Sequence, residues 1–349
     1  MITKTCAIDE VPLGSMLLED IYSSLDLLVV PSYTVITESV LSMVKRYRGE
    51  IVIGVEEIIK DNNSLAMSKY IQERAVKGVE YMHSLKDAGE VYSVAQDIAS
   101  DLCEAVTDND SIYLNLKKLH LCDEYTFKHC IDVATMGMLV GKRMGFTIEE
   151  IREIGTAGLL HDLGKLDISL DILNKPGKLT KEEFDIIKKH PVYGYKRLKS
   201  VNGISRGVLE GVLYHHENID GSGYPRGLRG SNISRMGRVL SVVDVYDALV
   251  TERPYKSAKS PVVSYEMVLG MFNKFDCEVV NVFSSCIELY AVSTVLELSN
   301  DAKVRVVSQN IGFPHRPIVE NIETGEVYDL IDINNVGLVI KDEKSEGES

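Results

Sequence analysis

Five of the eight histidines fall between positions 129 and 216: His129, His161, His190, His215 and His216. Two compact runs contain three of them. His161-Asp162-Leu163-Gly164-Lys165 follows the apolar stretch Thr156-Ala157-Gly158-Leu159-Leu160, and His215-His216-Glu217 leads into Asp220-Gly221-Ser222-Gly223-Tyr224-Pro225. Neutral imidazole mixed with carboxylate is a ligand field suited to divalent iron, manganese or zinc. A carboxylate can bridge two cations, which a single imidazole cannot. Neighbouring residues on a helix point about 100° apart, so a His-Asp pair at a helix end can address one cation with the ring and a second with the carboxylate. The intervals between the histidine positions, about 25 to 30 residues, correspond to a helix and a loop each. Ligands so spaced converge from several helices, as in helical bundles. A two-metal site of this type makes hydroxide from water near neutral pH and clamps a phosphodiester for in-line attack.

Each signal is weak when taken singly. His83, His120 and His315 read as ordinary core or surface histidines, and Asp-Gly-Ser-Gly-Tyr-Pro alone is common turn chemistry. The joint order of His-Asp, then His190-Pro191, then His215-His216 with Gly-Tyr-Pro carries the inference.

The elements that must position these residues are predominantly helical between about 111 and 298, with the clearest segments at 149–160, 181–189, 208–216 and 238–249. Residues 69–106 repeat apolar side chains at helical intervals, for example Val91, Val94, Ala95, Ile98, Leu102 and Val106, and predict two or three helices. Before them, a short apolar run at 25–30 and β-branched runs at 35–37 and 51–55 flank a helical pattern at 39–47, which predicts a small α+β module. After Ser299 the runs 302–308, 317–321 and 336–340 predict strands, with a turn at Gly325. The expected organisation is an N-terminal module over 1–60, a helical linker over 61–110, a catalytic domain over 111–298, a β-rich appendix over 299–341 and a polar tail over 342–349.

The stretch from Asp123 to Asp276 closely resembles the HD-GYP domain, a subgroup of the HD-superfamily metal-dependent phosphohydrolases associated with cyclic di-GMP. The residues that carry the likeness are Asp123-Glu124-Tyr125-Thr126-Phe127-Lys128-His129, the His-Asp run, Leu173-Asn174-Lys175-Pro176-Gly177-Lys178-Leu179-Thr180, His190-Pro191, His215-His216 with Gly223-Tyr224-Pro225, and Asp244-Val245-Tyr246-Asp247-Ala248-Leu249. The resemblance implies a mostly α fold, a helical phosphohydrolase bundle between the two smaller modules. It also implies two divalent metals, iron or manganese. His129, His161, Asp162 and Asp244 would hold one; Asp162 would bridge to the second, held by His190, His215 and His216. Lys165 would help neutralise the phosphate, Gly223, Tyr224 and Pro225 would line the substrate pocket, and Arg253 and Lys256 would grip phosphates, a planar fork and a mobile point charge. The activity implied is hydrolysis of cyclic di-GMP to pGpG through a metal-bound hydroxide, with GMP as the product of a second cleavage. The alternatives are a receptor that binds cyclic di-GMP without turnover, or a phosphohydrolase acting on another cyclic dinucleotide or nucleotide.

The departures from the family pattern concern the pocket. Tyr125 stands where some relatives carry a Glu ligand to a third metal, which favours a binuclear site. Asn218, Ile219 and Cys277 replace residues usual in the family, and none of them is an expected ligand.

Length and charge set the outer bounds. At about 150 residues per domain, 349 residues suggest roughly two domains. Lys and Arg number 38 against 52 Asp and Glu, a net charge of −14. That argues against coating DNA or RNA, which takes a broad basic face, and leaves room for a small anionic ligand in a local pocket. No secretory signal and no membrane-length apolar run is visible, and the six cysteines form no Cys-x-x-Cys pair. A cytoplasmic protein with reduced thiols is expected, without membrane insertion, and a homodimer stays open.

Overall fold

The computed structural model describes residues 2–7, 11, 16–17, 21–22, 28–30, 41, 44–46, 50–55, 69–107, 125–251 and 258–341. The chain divides into two compact units, Met1–Asn62 and Asn63–Ser349.

In the first unit, strand β5 (Glu50–Val55) carries the β-branched run expected at 51–55. It lies between β1 (Ile2–Ala7) and β2 (Met16–Leu17) and pairs antiparallel with both, from Ile2 opposite Val55 to Ala7 opposite Glu50. Strands β3 (Ile21–Tyr22) and β4 (Leu28–Val30) form a separate antiparallel pair. The run at 35–37 lies outside the described residues. Of the helical pattern at 39–47, Leu41 and Val44 are helical and Val44 is buried.

The second unit opens with helices α1 (Lys69–Ser84) and α2 (Ala88–Thr107). Their apolar faces, including Val79, Met82, Ala95 and Leu102, belong to the same core as the helices that follow. Helix α3 (Tyr125–Arg143) runs through the middle of this core, and every residue from 129 to 141 is buried. A helix buried all round has no solvated face, and this one meets its neighbours through close contacts at its glycines.

Helix α4 (Ile148–Leu160) packs against α3, and a capping box in which Thr147 and Glu150 satisfy each other's backbone N–H groups fixes its start. A 3-10 turn (Leu163–Asp167), α5 (Leu170–Leu173), α6 (Lys181–Ile187), α7 (His190–Leu198) and α8 (Arg206–Tyr214) follow. A second largely buried helix, α9 (Arg235–Val250), crosses α3 and α8. Helices α10 (Pro261–Gly270) and α11 (Cys277–Cys286) complete the bundle.

The C-terminal residues form an antiparallel sheet in the order β6 (Val295–Glu297), β7 (Lys303–Ser308), β8 (Ile318–Asn321) and β9 (Val327–Asp329). It has its own apolar cluster of Leu296, Leu298, Val304, Val306, Val319 and Leu330. Gly325, at φ 73°, makes the β8–β9 turn. The strand expected at 336–340 is corrected. That segment is turn and coil apart from a single bridge between Ile340 and Leu298, because Asp332, Asn334 and Asn335 engage the backbone in successive turns. The fourth strand is Val327–Asp329 instead.

Candidate metal centre

Helix ends deliver most of the site. His161 caps the C-terminus of α4, and Asp162 opens the 3-10 turn after it. His190 is the first residue of α7, followed by Pro191 in the first turn, where a missing N–H costs nothing. His215 caps the C-terminus of α8, and His216 follows. From the two buried helices come His129 of α3 and Asp244 of α9. His129, His161, His190 and His215 are each 1–3% exposed, and Asp162 and Asp244 are 9% and 6%.

Hydrogen bonds set the tautomers. Nδ1 of His161, His190 and His215 lies 2.7, 2.8 and 2.8 Å from the carbonyl oxygen of the residue three earlier, Gly158, Ile187 and Val212. A carbonyl only accepts, so each Nδ1 carries the proton and each Nε2 offers a lone pair. His129 is held differently, with Nδ1 donating to the Asp247 carboxylate at 2.6 Å.

The Nε2 atoms of three histidines surround Asp162. Its Oδ2 lies 3.4 Å from His161 Nε2 and 3.9 Å from His129 Nε2, while its Oδ1 lies 3.3 Å from His190 Nε2. Asp244 Oδ1 is 3.2 Å from His129 Nε2 and 3.8 Å from His161 Nε2, and Oδ2 is 3.7 Å from His216 Nδ1. Lys165 places its ammonium 2.6 Å from Asp162 Oδ2.

Burial penalises the charged form of every group here, and the neighbours decide the outcome. For Asp162, Lys165 and His161 overcome burial and hold the carboxyl well below its ordinary range. For Asp244, His129 and His216 do the same. Burial lowers His190 and, with the adjacent rings, takes His215 far down and His216 to about 3. His129 goes the other way: hydrogen bonds to Asp244 and Asp247 outweigh burial and raise it to about 10.

These atoms fit divalent cations. His161 Nε2 and Asp162 Oδ1 are buried without a hydrogen-bond partner. Nε2 of His190 and His215 face each other at 3.1 Å with both Nδ1 protons already committed, so two lone pairs point together, an arrangement a cation relieves. Among the described residues, three overlapping groups have ligand atoms within 4.8 Å of one another: His190, His215 and His216; His129, His161 and Asp162; and His161, His215 and Asp244.

The family model described as HD domain matches residues 93–279, more than half of the chain. The chain belongs to the HD domain family. It is 34% identical over 216 residues to the cyclic di-GMP phosphodiesterase PA4108 of Pseudomonas aeruginosa, covering 62% of this chain and 52% of that protein. It is 31% identical over 219 residues to the cyclic di-GMP phosphodiesterase PdeB of Borreliella burgdorferi, covering 62% and 57%. The chain thus spans about half the length of these curated relatives. Among solved structures, Bd1817, an HD-GYP-type protein of Bdellovibrio bacteriovorus, superposes with a TM-score of 0.52 at 15% identity, over 81% of this chain and 98% of that one, a likeness of fold.

This HD domain protein brings together all seven side chains singled out as ligands, along with Lys165 and the Gly-Tyr-Pro loop. The Tyr224 ring lies 4.7 Å from that of His216, and its N–H donates to the His216 carbonyl at 3.0 Å. Burial and the nearby Asp244 and Asp162 carboxylates push its hydroxyl upward. The Tyr224-Pro225 peptide is cis. Arg253, Lys256 and the side chain of Tyr125 lie outside the described residues.

Three further residues support the cluster and its loop. Asp247 stands one turn after Asp244, a spacing that puts both carboxylates on one helix face and could have revealed it. Glu217, 1% exposed, accepts the N–H groups of Arg226 (2.7 Å) and Leu228 (2.9 Å) and so anchors the Gly-Tyr-Pro loop. Gly164 lies where any Cβ would run into the His190 carbonyl, so the 3-10 turn and α7 can touch only through glycine.

Proposed function

We propose that this chain is a metal-dependent phosphodiesterase that hydrolyses cyclic di-GMP to pGpG, with GMP the product of a second cleavage. The carrying observation is the pair of Asp162 oxygens, one facing His190 Nε2 and the other facing His161 and His129 Nε2. The names of the relatives supply the substrate.

In this reading His129, His161, Asp162 and Asp244 hold one divalent cation, iron or manganese. Asp162 also reaches the second, held by His190, His215 and His216. Two such ions supply an acidified water and positive charge for the phosphodiester. The chain's residues do the rest. The depressed values of Asp162, Asp244, His190, His215 and His216 keep them in the ligand-competent form at neutral pH. The Lys165 ammonium at Asp162 neutralises charge that builds on the phosphate oxygens. Tyr224, fixed over His216 by its backbone and by Glu217, offers a ring face to a guanine. Arg253 and Lys256 would grip the phosphates. The net charge of −14 suits a compact dinucleotide held locally, not a nucleic-acid polymer.

The test is anaerobic incubation of the full chain, loaded with Mn²⁺ or Fe²⁺, with cyclic di-GMP, the products being resolved by chromatography. Formation of pGpG that falls to background in Asp162→Ala is expected. Tight binding of intact cyclic di-GMP with no product would instead make the chain a receptor.

A further inference from the structure

The two halves of the cluster are built unequally. Three of its rings are steadied by neutral backbone carbonyls, and His129 alone is steadied by a carboxylate. A charge-assisted hydrogen bond is shorter and stronger than a neutral one, and a carboxylate behind an imidazole fixes its orientation and raises its basicity toward a cation. Asp247 is itself 1% exposed and held by the Thr251 hydroxyl, 3.3 Å from each of its oxygens. Because Asp247 and Asp244 lie one turn apart on α9, one helix supplies a carboxylate to the cluster and the support for the histidine beside it.

The half around His129 therefore gathers Asp162 Oδ2, Asp244 Oδ1 and the Asp247 charge directly behind the ring. The half around His190, His215 and His216 offers three neutral imidazoles. Its closest carboxylate oxygen is Asp162 Oδ1, at 3.3 Å from His190, and Asp244 Oδ2 approaches only to 3.7 Å from His216. Within this half His216 reaches toward solvent, its side chain 24% exposed, while His190 and His215 are buried like His129. A divalent cation gains more from two carboxylates and a charge-supported imidazole than from three neutral rings with one oxygen of the shared Asp162.

We propose that Asp247 is a positioning residue that makes the His129 half the tighter of two metal positions, filled first, and leaves the three-histidine half as the weaker, exchangeable one. The inference rests on the metal-centre reading given above.

The test is a titration of the metal-free full chain with Mn²⁺, following free Mn²⁺ by electron paramagnetic resonance. Two binding steps are expected, separated at least about tenfold in Kd. Asp247→Asn should weaken the first step by roughly 10–100-fold and leave the second little changed, whereas His216→Ala should remove the second and keep the first. Thr251→Val, which loosens Asp247 without touching a ligand, should weaken the first step in the same direction by less. Circular dichroism on each variant checks that it is folded. Two equal steps in the unaltered chain, a loss shared by both steps in Asp247→Asn, or loss of the tight step in His216→Ala would overturn the proposal. Absence of any Mn²⁺ binding would overturn the metal-centre reading itself.

Discussion

At Gly164 the chain has no room for a side chain, because the α7 backbone that carries His190 crosses directly over it. Gly164→Ala should therefore push His190 away from Asp162 and cost about 1–3 kcal/mol, measured by chemical denaturation alongside a weakened Mn²⁺ affinity. The histidines make a second prediction. His190, His215 and His216 stay neutral when folded because burial penalises the imidazolium, but in the unfolded chain they protonate as the pH falls through about 6.5. The unfolded state then binds more protons, so stability falls with pH in that window. His129 is raised to about 10, so its contribution is complete below about 6.5 and is lost as the pH climbs toward 10. The metal-free chain should be most stable near pH 6.5, and its thermal midpoint should drop on either side by roughly 2–4 °C per kcal/mol lost. A flat midpoint from pH 4.5 to 9 would contradict these assignments. At this scale the ligand types were legible, since His and Asp declare their chemistry. The supports were not, since a buried Asp247 or Glu217 looks like any other acid until its partner is known.

At the scale of elements, helix ends do the positioning, and their signals are local. Thr147 with Glu150 and Thr180 with Glu183 form capping boxes that start α4 and α6. The helices expected at 149–160 and 181–189 lie within a turn of these starts and of the observed ends. The Gly-Tyr-Pro loop is held by a less visible device. Glu217 uses both carboxylate oxygens on two backbone N–H groups, and glutamine cannot replace it, since its amide nitrogen would face a donor. Glu217→Gln should raise the KM for cyclic di-GMP, cost about 1–3 kcal/mol of stability, and leave the bound-metal count unchanged. The segment 336–340 shows the limit of local reading. Its residues favour strands, but the turns made by Asp332, Asn334 and Asn335 set its path.

At the scale of the whole molecule, the described residues of the second unit form two apolar clusters, one within the helical bundle and one beneath the C-terminal sheet. Leu298, fully buried in the smaller cluster, gives a way to separate them. Leu298→Ala should destabilise the sheet by about 2–5 kcal/mol while Mn²⁺ affinity stays unchanged, read by denaturation and titration of the same sample. The mostly helical character was plain from periodicity. The membership of α1 and α2 in the main core was not, because which neighbour an apolar face covers depends on residues far away in sequence. No described helix is long and apolar enough to cross a membrane, and the described cysteines Cys103, Cys130, Cys277 and Cys286 are free thiols.

The most direct test of the proposed two-metal phosphodiesterase is hydrolysis of cyclic di-GMP measured against metal equivalents added to the metal-free chain. Turnover should be absent without metal, reach its maximum at two equivalents per chain, and be absent in Asp162→Ala at any loading. Turnover by the metal-free chain, or a maximum already reached at one equivalent, would contradict that proposal.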